Sequence, residues 1–413
     1  MKHQVRDACQ PTQAAAIVEI ASNRSRPERA KRLRPLGITH QGDNPEPFNQ
    51  PGQRALSHIA ASHDQNVFHR RIISRPMQFQ ISTQPGGQHF EADATQTVLE
   101  AALAAGLLFP YGCRDGACGA CKAQVLSGSV EPGKISDGAL SEDERAQGYA
   151  LLCQAHPRSD LVLNVRTLGR IGDIAARKMP SRLISLEKVA SDVMVLRLKL
   201  PASEQFRFRA GQYIDFLLAD GKRRSFSIAN APHQEGELEL HVRRVGGGLF
   251  TDHVFESMKP RDILRIEGPL GTFFLREDSG RPIVLVAGGT GFAPMKSIIE
   301  HAIATGLSRP MTLYWGARNR EGLYMDALAQ SWTEKLAGFK YVPVLSEPTE
   351  DDAWTGRCGL VHHAVMQDLS DLSGHEVYAC GAPAMIDAAR SDFVTQCGLS
   401  DDAFFADVFT YST

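Results

Sequence analysis

Two hydrophobic periods organise the chain from Met77 onward, and neither is visible in the 76 residues before it. The runs MQFQIST (77–83) and QHFEAD (88–93) alternate apolar and polar positions as half-buried strands do, with Pro-Gly-Gly between them as a hairpin turn. TQTVLEAALAAG then switches to a helical period, with Val98, Leu99, Ala102 and Leu103 on one face and Gly106 as the stop. KAQVLSGSV and LVLNVRT return to strands, so strands around one helix predict a small β-grasp-like module over 77–168. LGRIGDIAARKMP, within 168–180, lacks a buried pattern and carries basic residues, and 169–180 is expected to be a linker. Between 181 and 279, the short β-rich runs VMVLRLKL, QYIDFLL, RSFSIA, LELHVRRV and DILRIEG recur between Gly and Pro, as in a small antiparallel barrel. From 280 to 413 the strands become continuously apolar (IVLVA, MTLYWGA, KYVPVLS, EVYACGA) and alternate with helices. That pattern predicts a doubly wound α/β domain whose parallel strands are buried on both faces. Its first helix is expected to open at Pro294, with Met295, Ile298, Ile299, Ala302 and Ile303 inward.

Composition separates the first 76 residues from the rest. They hold 12 Lys and Arg against 6 Asp and Glu, whereas the remaining chain holds 33 against 41. SNRSRPERAKRLRP and GDNPEPFNQPGQ are expected to be disordered, as a basic extension or an upstream start added to a domain that begins near Met77. Arg and Ser also fit an organelle transit peptide, but the scattered acids do not. The whole chain, with a formal charge of −2, does not have the profile of a nucleic-acid binder. No run approaches the roughly 18 apolar residues of a transmembrane helix, and no secretory leader is visible.

Cysteine spacing brings in the chemistry. Cys113, Cys118 and Cys121 in YGCRDGACGACK, followed by Cys153 in LLCQAH, form C-x₄-C-x₂-C with a distant fourth Cys. This is the plant-type spacing for a [2Fe–2S] cluster. Gly112, Gly116 and Gly119 let the backbone wrap close to the inorganic sulfides, and Ala117 and Ala120 keep the wall thin. A structural zinc site and plain buried thiols are the competing readings, but zinc usually takes two close Cys pairs. Cys9, Cys358, Cys380 and Cys397 show no pairing pattern, so a reducing cytoplasm is the expected compartment. Over Met77 to Thr167 the chain resembles plant-type ferredoxins.

Two further motifs resemble ferredoxin–NADP⁺ reductase-like flavoproteins. RRSFSIAN (223–230) matches their R-x-[YF]-S signature. The resemblance assigns Arg224 to the flavin phosphate, Phe226 to stacking and Ser227 to the edge of the ring. HVRRVGGGLFTDHVF places glycines before a helix start, and the resemblance makes Gly247, Gly248 and Thr251 candidates for the pyrophosphate. GPLGTFF (268–274) matches the family's barrel end. FAD is expected in preference to FMN. VLVAGGTGFAP is a strand, a glycine turn and a helix in which Gly288, Gly289, Thr290 and Gly291 suit a nicotinamide dinucleotide. In the same family a cysteine stands beside the nicotinamide, and Cys380 in VYACGAP matches it, with Gly381 and Pro383 in the following loop. Phe409 matches the C-terminal aromatic that covers the flavin, with Tyr411 as a neighbouring possibility. Arg318 and Arg320 suit NADPH, while Glu321 favours NADH, and NADH is preferred.

The three modules together resemble reductases of multicomponent oxygenases and of CDP-deoxysugar synthesis. The resemblance implies that NADH gives a hydride to FAD, that the [2Fe–2S] cluster carries single electrons, and that a terminal oxygenase or dehydrase receives them. Direct reduction of a small acceptor such as free flavin is the alternative, and a non-catalytic redox sensor a third reading. Glu131, Asp137, Glu142, Asp143 and Glu144 make the ferredoxin-like module acidic, as for a basic partner or simply for a solvated surface.

Overall fold

The computed structural model describes residues 77–136, 138–169 and 174–410. The expectations for residues 1–76, Asp137 and Tyr411 lie outside the described residues. The described residues belong to one packing unit that comprises three layered modules.

The first module contains β1 (Gln78–Gln84), β2 (His89–Asp93), α1 (Val98–Ala104), β3 (Lys122–Ser127), β4 (Val130–Pro132), α2 (Glu142–Ala146), β5 (Tyr149–Leu151), β6 (Ala155–Pro157) and β7 (Leu161–Asn164). Its mixed sheet runs β2-β1-β7-β3-β5, with β7 parallel to β1 and antiparallel to β3. Helix α1 starts where Thr97 accepts from the Glu100 amide and Glu100 accepts from the Thr97 amide. Each bond satisfies an amide that the helix end leaves open. The buried face of α1 (Val98, Leu99, Ala101 and Ala102) packs with Ile81, Phe109 and Leu152 in the core of a β-grasp module. Among the acidic residues, Glu131 pairs with Arg158, and Glu144 pairs with Lys122 while capping α2.

The second module contains β8 (Arg177–Ala190), β9 (Val193–Lys199), β10 (Tyr213–Leu217), β11 (Arg223–Ser227), β12 (Glu237–Arg243), α3 (Leu249–Glu256) and β13 (Ile263–Leu270). The order is β11-β10-β13-β8-β9-β12, and an Ile228–Leu240 bridge brings the two edges together into a barrel. Strand β8 begins inside the segment expected to be a linker. Its first residues, Arg177 to Arg182, pair with Gly268 to Ile263, burying Met179, Ser181 and Leu183. The period-2 pattern is there, but the Arg, Lys and Pro between the buried positions hide it.

The third module contains β14 (Ile283–Gly288), α4 (Phe292–Thr305), β15 (Met311–Ala317), α5 (Asp326–Ser331), β16 (Phe339–Leu345), β17 (Arg357–Cys358), α6 (Val361–Asp368), β18 (Glu376–Gly381), α7 (Pro383–Gln396) and β19 (Phe404–Val408). All six strands are parallel, in the order β17-β16-β15-β14-β18-β19. The chain reverses its direction of winding between β14 and β18, so the carboxyl ends of those strands form the switch point where α/β sheets bind ligands. Helix α4 starts at Phe292, two residues before the expected Pro294, because the turn Gly289–Gly291 already runs as a 3-10 helix, with Gly291 at φ −58° and ψ −10°; the ring of Phe292 stacks on Trp315 at 3.8 Å and 10°. Cys380 and Cys397 are free thiols. Among the described residues, no helix is long and apolar enough to cross a membrane.

Arg309 and Glu376 lie buried at the base of this sheet, 2.7 Å apart. Arg309 also donates to the carbonyls of Arg281 and Arg276, and Tyr378 donates to Glu376. Removing one partner leaves a buried charge uncompensated, which costs about 3–5 kcal/mol. Arg309→Ala is therefore expected to lower the stability of this module by that amount. All three tryptophans, Trp315, Trp332 and Trp354, belong to it, so the urea midpoint of tryptophan fluorescence reads the effect. An unchanged midpoint would contradict the assignment.

Candidate functional site

The four cysteines of the ferredoxin-like module converge. The Cys113 amide donates to Cys118 Sγ at 3.3 Å, and the Cys153 amide donates to Cys121 Sγ at 3.5 Å. Contact with Cys113 and the Ala120 and Cys113 amides lower the Cys118 thiol against burial, whereas the facing Cys118 and Cys121 sulfurs and burial push the Cys113 and Cys153 thiols up. Donors aimed at sulfur favour the thiolate that iron requires. A Cβ on Gly116, at φ +80°, would stand 2.2 Å from the Lys134 carbonyl, so only glycine fits this fold of the loop. The donor set, its amides and its thin wall thus fit an iron–sulfur cluster.

The loop that carries these thiols is fastened to the barrel. Tyr111 and Thr272 exchange backbone and hydroxyl hydrogen bonds, and the Tyr213 hydroxyl donates to the Gly112 carbonyl. Next to Cys113, Arg114 adopts a left-handed φ of +64°. That turn sends its guanidinium to Asp215 of β10 at 2.6 Å, with Glu267 at 3.7 Å. Asp215 is 3 % exposed and also accepts from Ser225, while Arg223 bonds Glu267 at 2.9 Å.

This docking makes the cluster loop one wall of a cleft open to solvent. Gly112, Cys113 and Asp115 stand on that side. Arg224, Phe226 and Ser227 of β11 line the barrel side, with Gly248, Phe250 and Thr251 at the start of α3. Thr290, Asp407 and Phe409 complete it from the third module. Phe226 packs against Phe216 and Phe250, with centroids 5.7 and 5.5 Å away.

Several expected residues stand behind the cleft. Gly247 takes φ +78° to make the turn before α3. Thr251 lines the cleft, yet its hydroxyl is engaged by Val245 and Gly248, so it closes the loop on itself. Gly289 turns the chain after β14, where its carbonyl accepts from Trp315. Gly291 has to be glycine, since a Cβ there would lie 2.1 Å from the Cys380 carbonyl. Gly381 anchors the cover, its carbonyl accepting from the Phe409 amide. Cys380 is fully buried, and burial with Asp407 nearby pushes its thiol well up. Glu321 is spent on the Ser191 amide at 2.6 Å. Arg318 and Arg320 are both exposed; the Arg320 amide donates to the Asp352 carboxylate and its Nη1 to the Asp352 carbonyl at 3.3 Å.

Two residues that the motifs did not single out occupy the centre. Asp407 Oδ2 lies 3.2 Å from Ser227 Oγ and 3.9 Å from Cys380 Sγ. Burial raises its carboxyl to about 6. The other is Arg243, whose Nη1 holds Asp192 at 2.8 Å and whose Nη2 is buried without a partner. Arg243 lines the cleft beside the glycine turn, 3.4 Å from where a Gly289 Cβ would stand. An orphaned guanidinium nitrogen there fits a dinucleotide phosphate. The available signals were a lone acid in the apolar run FFADVF and an arginine before the glycine loop.

Comparisons with known proteins agree with this geometry. Residues 81–158 match a 2Fe-2S iron–sulfur cluster binding domain, 180–275 an oxidoreductase FAD-binding domain, and 285–391 an oxidoreductase NAD-binding domain. The CDP-6-deoxy-L-threo-D-glycero-4-hexulose-3-dehydrase reductase of Yersinia pseudotuberculosis is 44 % identical over 336 residues, which cover 81 % of this chain and 100 % of the relative. The chain belongs to the iron–sulfur flavoprotein reductases. Reductase component 2 of terephthalate 1,2-dioxygenase from a Comamonas species is 35 % identical, covering 81 % of this chain and 98 % of the relative. The crystal structure of a cytochrome P450 reductase from Amycolatopsis superposes with a TM-score of 0.69 at 36 % identity, covering 81 % of this chain and 100 % of that one. A [2Fe–2S] cluster, FAD and a nicotinamide adenine dinucleotide are therefore the cofactors, and the chain is an oxidoreductase. Such relatives are components of larger systems, which implies a protein that accepts electrons.

Two outcomes follow. Ser227 and Cys380 both donate to Asp407, so the network is built for the ionised carboxylate. The rate of NADH oxidation by ferricyanide is expected to fall as pH drops through about 6 in the natural chain and to lose that step in Asp407→Asn. A step that survives the substitution would contradict this. Arg114→Ala should slow NADH-dependent reduction of cytochrome c by up to about 100-fold by loosening the cluster loop. Ferricyanide reduction should be unaffected, and an equal loss in both assays would assign Arg114 to general folding instead.

Proposed function

We propose that the chain takes electrons from NADH and delivers them singly to a separate acceptor protein, which we read as the dehydrase of a CDP-deoxyhexulose pathway. The observation that carries this reading is that the Cys113 loop walls the same cleft as Ser227 and Phe226. When bound, the flavin accepts a hydride and releases electrons one at a time, and the cluster carries single electrons. Cys113, Cys118, Cys121 and Cys153 are the proposed cluster ligands. Arg224 and the start of α3 at Gly248 hold the FAD phosphates, and Phe226 supports its ring. Gly289, Thr290 and Gly291 admit the nicotinamide dinucleotide, with Arg243 on its phosphates. Ser227 meets the reacting edge of the ring, oriented through Asp407 and Cys380. Phe409 covers that face until the nicotinamide docks.

The dehydrase is favoured over an oxygenase by the higher identity to the dehydrase reductase, 44 % against 35 %. A reducing cytoplasm suits thiols that must hold iron.

Cys113→Ser with Cys118→Ser is expected to abolish cytochrome c reduction while sparing ferricyanide reduction. Coupled turnover with the purified dehydrase and its sugar nucleotide should vanish in the same variant. If turnover persisted without the cluster, direct reduction of a small acceptor would replace this reading. Turnover with a ring-hydroxylating oxygenase and none with the dehydrase would reassign the partner.

A further inference from the structure

On the far face of the third module, the start of α6 meets the second half of α7. His362, His363 and Asp392 each bring one donor atom to a common point there, all within 4.8 Å of one another. His362 is only 4 % exposed, its Nε2 stands 3.4 Å from Asp392 Oδ2, and its Nδ1 is buried without a hydrogen-bond partner. The two imidazoles are tilted against each other at 59°, 4.3 Å between centroids.

The geometry points to a tetrahedral zinc-class site formed by His362, His363 and Asp392 that clasps α6 to α7. Metal–ligand bonds of roughly 2.0–2.2 Å put donors on one zinc about 3.3 Å apart, close to the His362–Asp392 separation. Two imidazoles and one carboxylate suit zinc better than calcium or magnesium, which prefer oxygen alone. The other carboxylate oxygen of Asp392 accepts from Gln396 Nε2 at 2.8 Å, an outer bond that fixes the carboxylate. His363 is exposed, so a water molecule can reach the fourth position. Helix α7 directly follows the loop of Cys380 and Gly381, so a metal at this clasp would stiffen the element behind the nicotinamide loop.

The test is equilibrium dialysis of the iron- and flavin-loaded chain against zinc chloride, with metal counted by mass spectrometry. The natural chain is expected to hold one zinc more than His363→Ala or Asp392→Asn, with affinity at this site lost by more than about 100-fold. Gln396→Ala should weaken it about tenfold. Zinc should raise the thermal midpoint of the natural chain and leave that of His363→Ala unchanged. Equal zinc content and affinity in all four proteins, or the same thermal shift in His363→Ala, would overturn the proposal.

Discussion

The contact that fixes the cysteine loop against the barrel is the ion pair between Arg114 and Asp215. It joins the residue beside Cys113 to the centre of a barrel strand at 2.6 Å, in a place where Asp215 is almost wholly withdrawn from water. Desolvation makes such a pair a poor source of net stability but a demanding constraint on geometry, because each charge is costly without the other. The neighbouring bonds from Tyr213 to Gly112 and between Thr272 and Tyr111 act in the same direction. Together they turn a metal-binding loop in one module into a wall of the cleft in another.

The remaining modules converge on the same space by ordinary rules of their fold classes. The barrel presents alternate residues of β11, so Arg224 and Phe226 share a face. The parallel sheet opens at its winding reversal, where β14 and β18 end in glycine-containing turns. The last strand, β19, lies in register with β18 so that Asp407 stands opposite Cys380. From there the chain passes to Phe409, whose amide bonds Gly381. Three structural classes thus contribute one side each to a single site.

Much of this was legible in the sequence because its signals are local. Period-2 runs marked the strands, the helical period from Val98 with its stop at Gly106 marked α1, and cysteine spacing marked the metal loop. The cleft residues that escaped depend on distant pairing. Asp407 reads as an ordinary strand residue until β19 joins β18, and Arg243 reads as surface charge until the barrel meets the glycine turn. Asp215 carried a signal in YIDFLL, an acid inside an apolar run, but its partner lies 101 positions earlier. Glu321 shows the converse case. Its position after the second strand of the module suited ribose recognition, yet its carboxylate fastens two modules through the Ser191 amide.

An electron route built into one docked chain makes a kinetic statement that separates it from transfer between molecules. The most direct measurement is anaerobic stopped-flow reduction by NADH, following flavin and iron–sulfur absorbance at several protein concentrations. Iron–sulfur bleaching is expected to follow flavin bleaching with a first-order rate that does not change with protein concentration. A rate that rose in proportion to protein concentration would show that the cluster is reduced by another molecule, and would contradict the account.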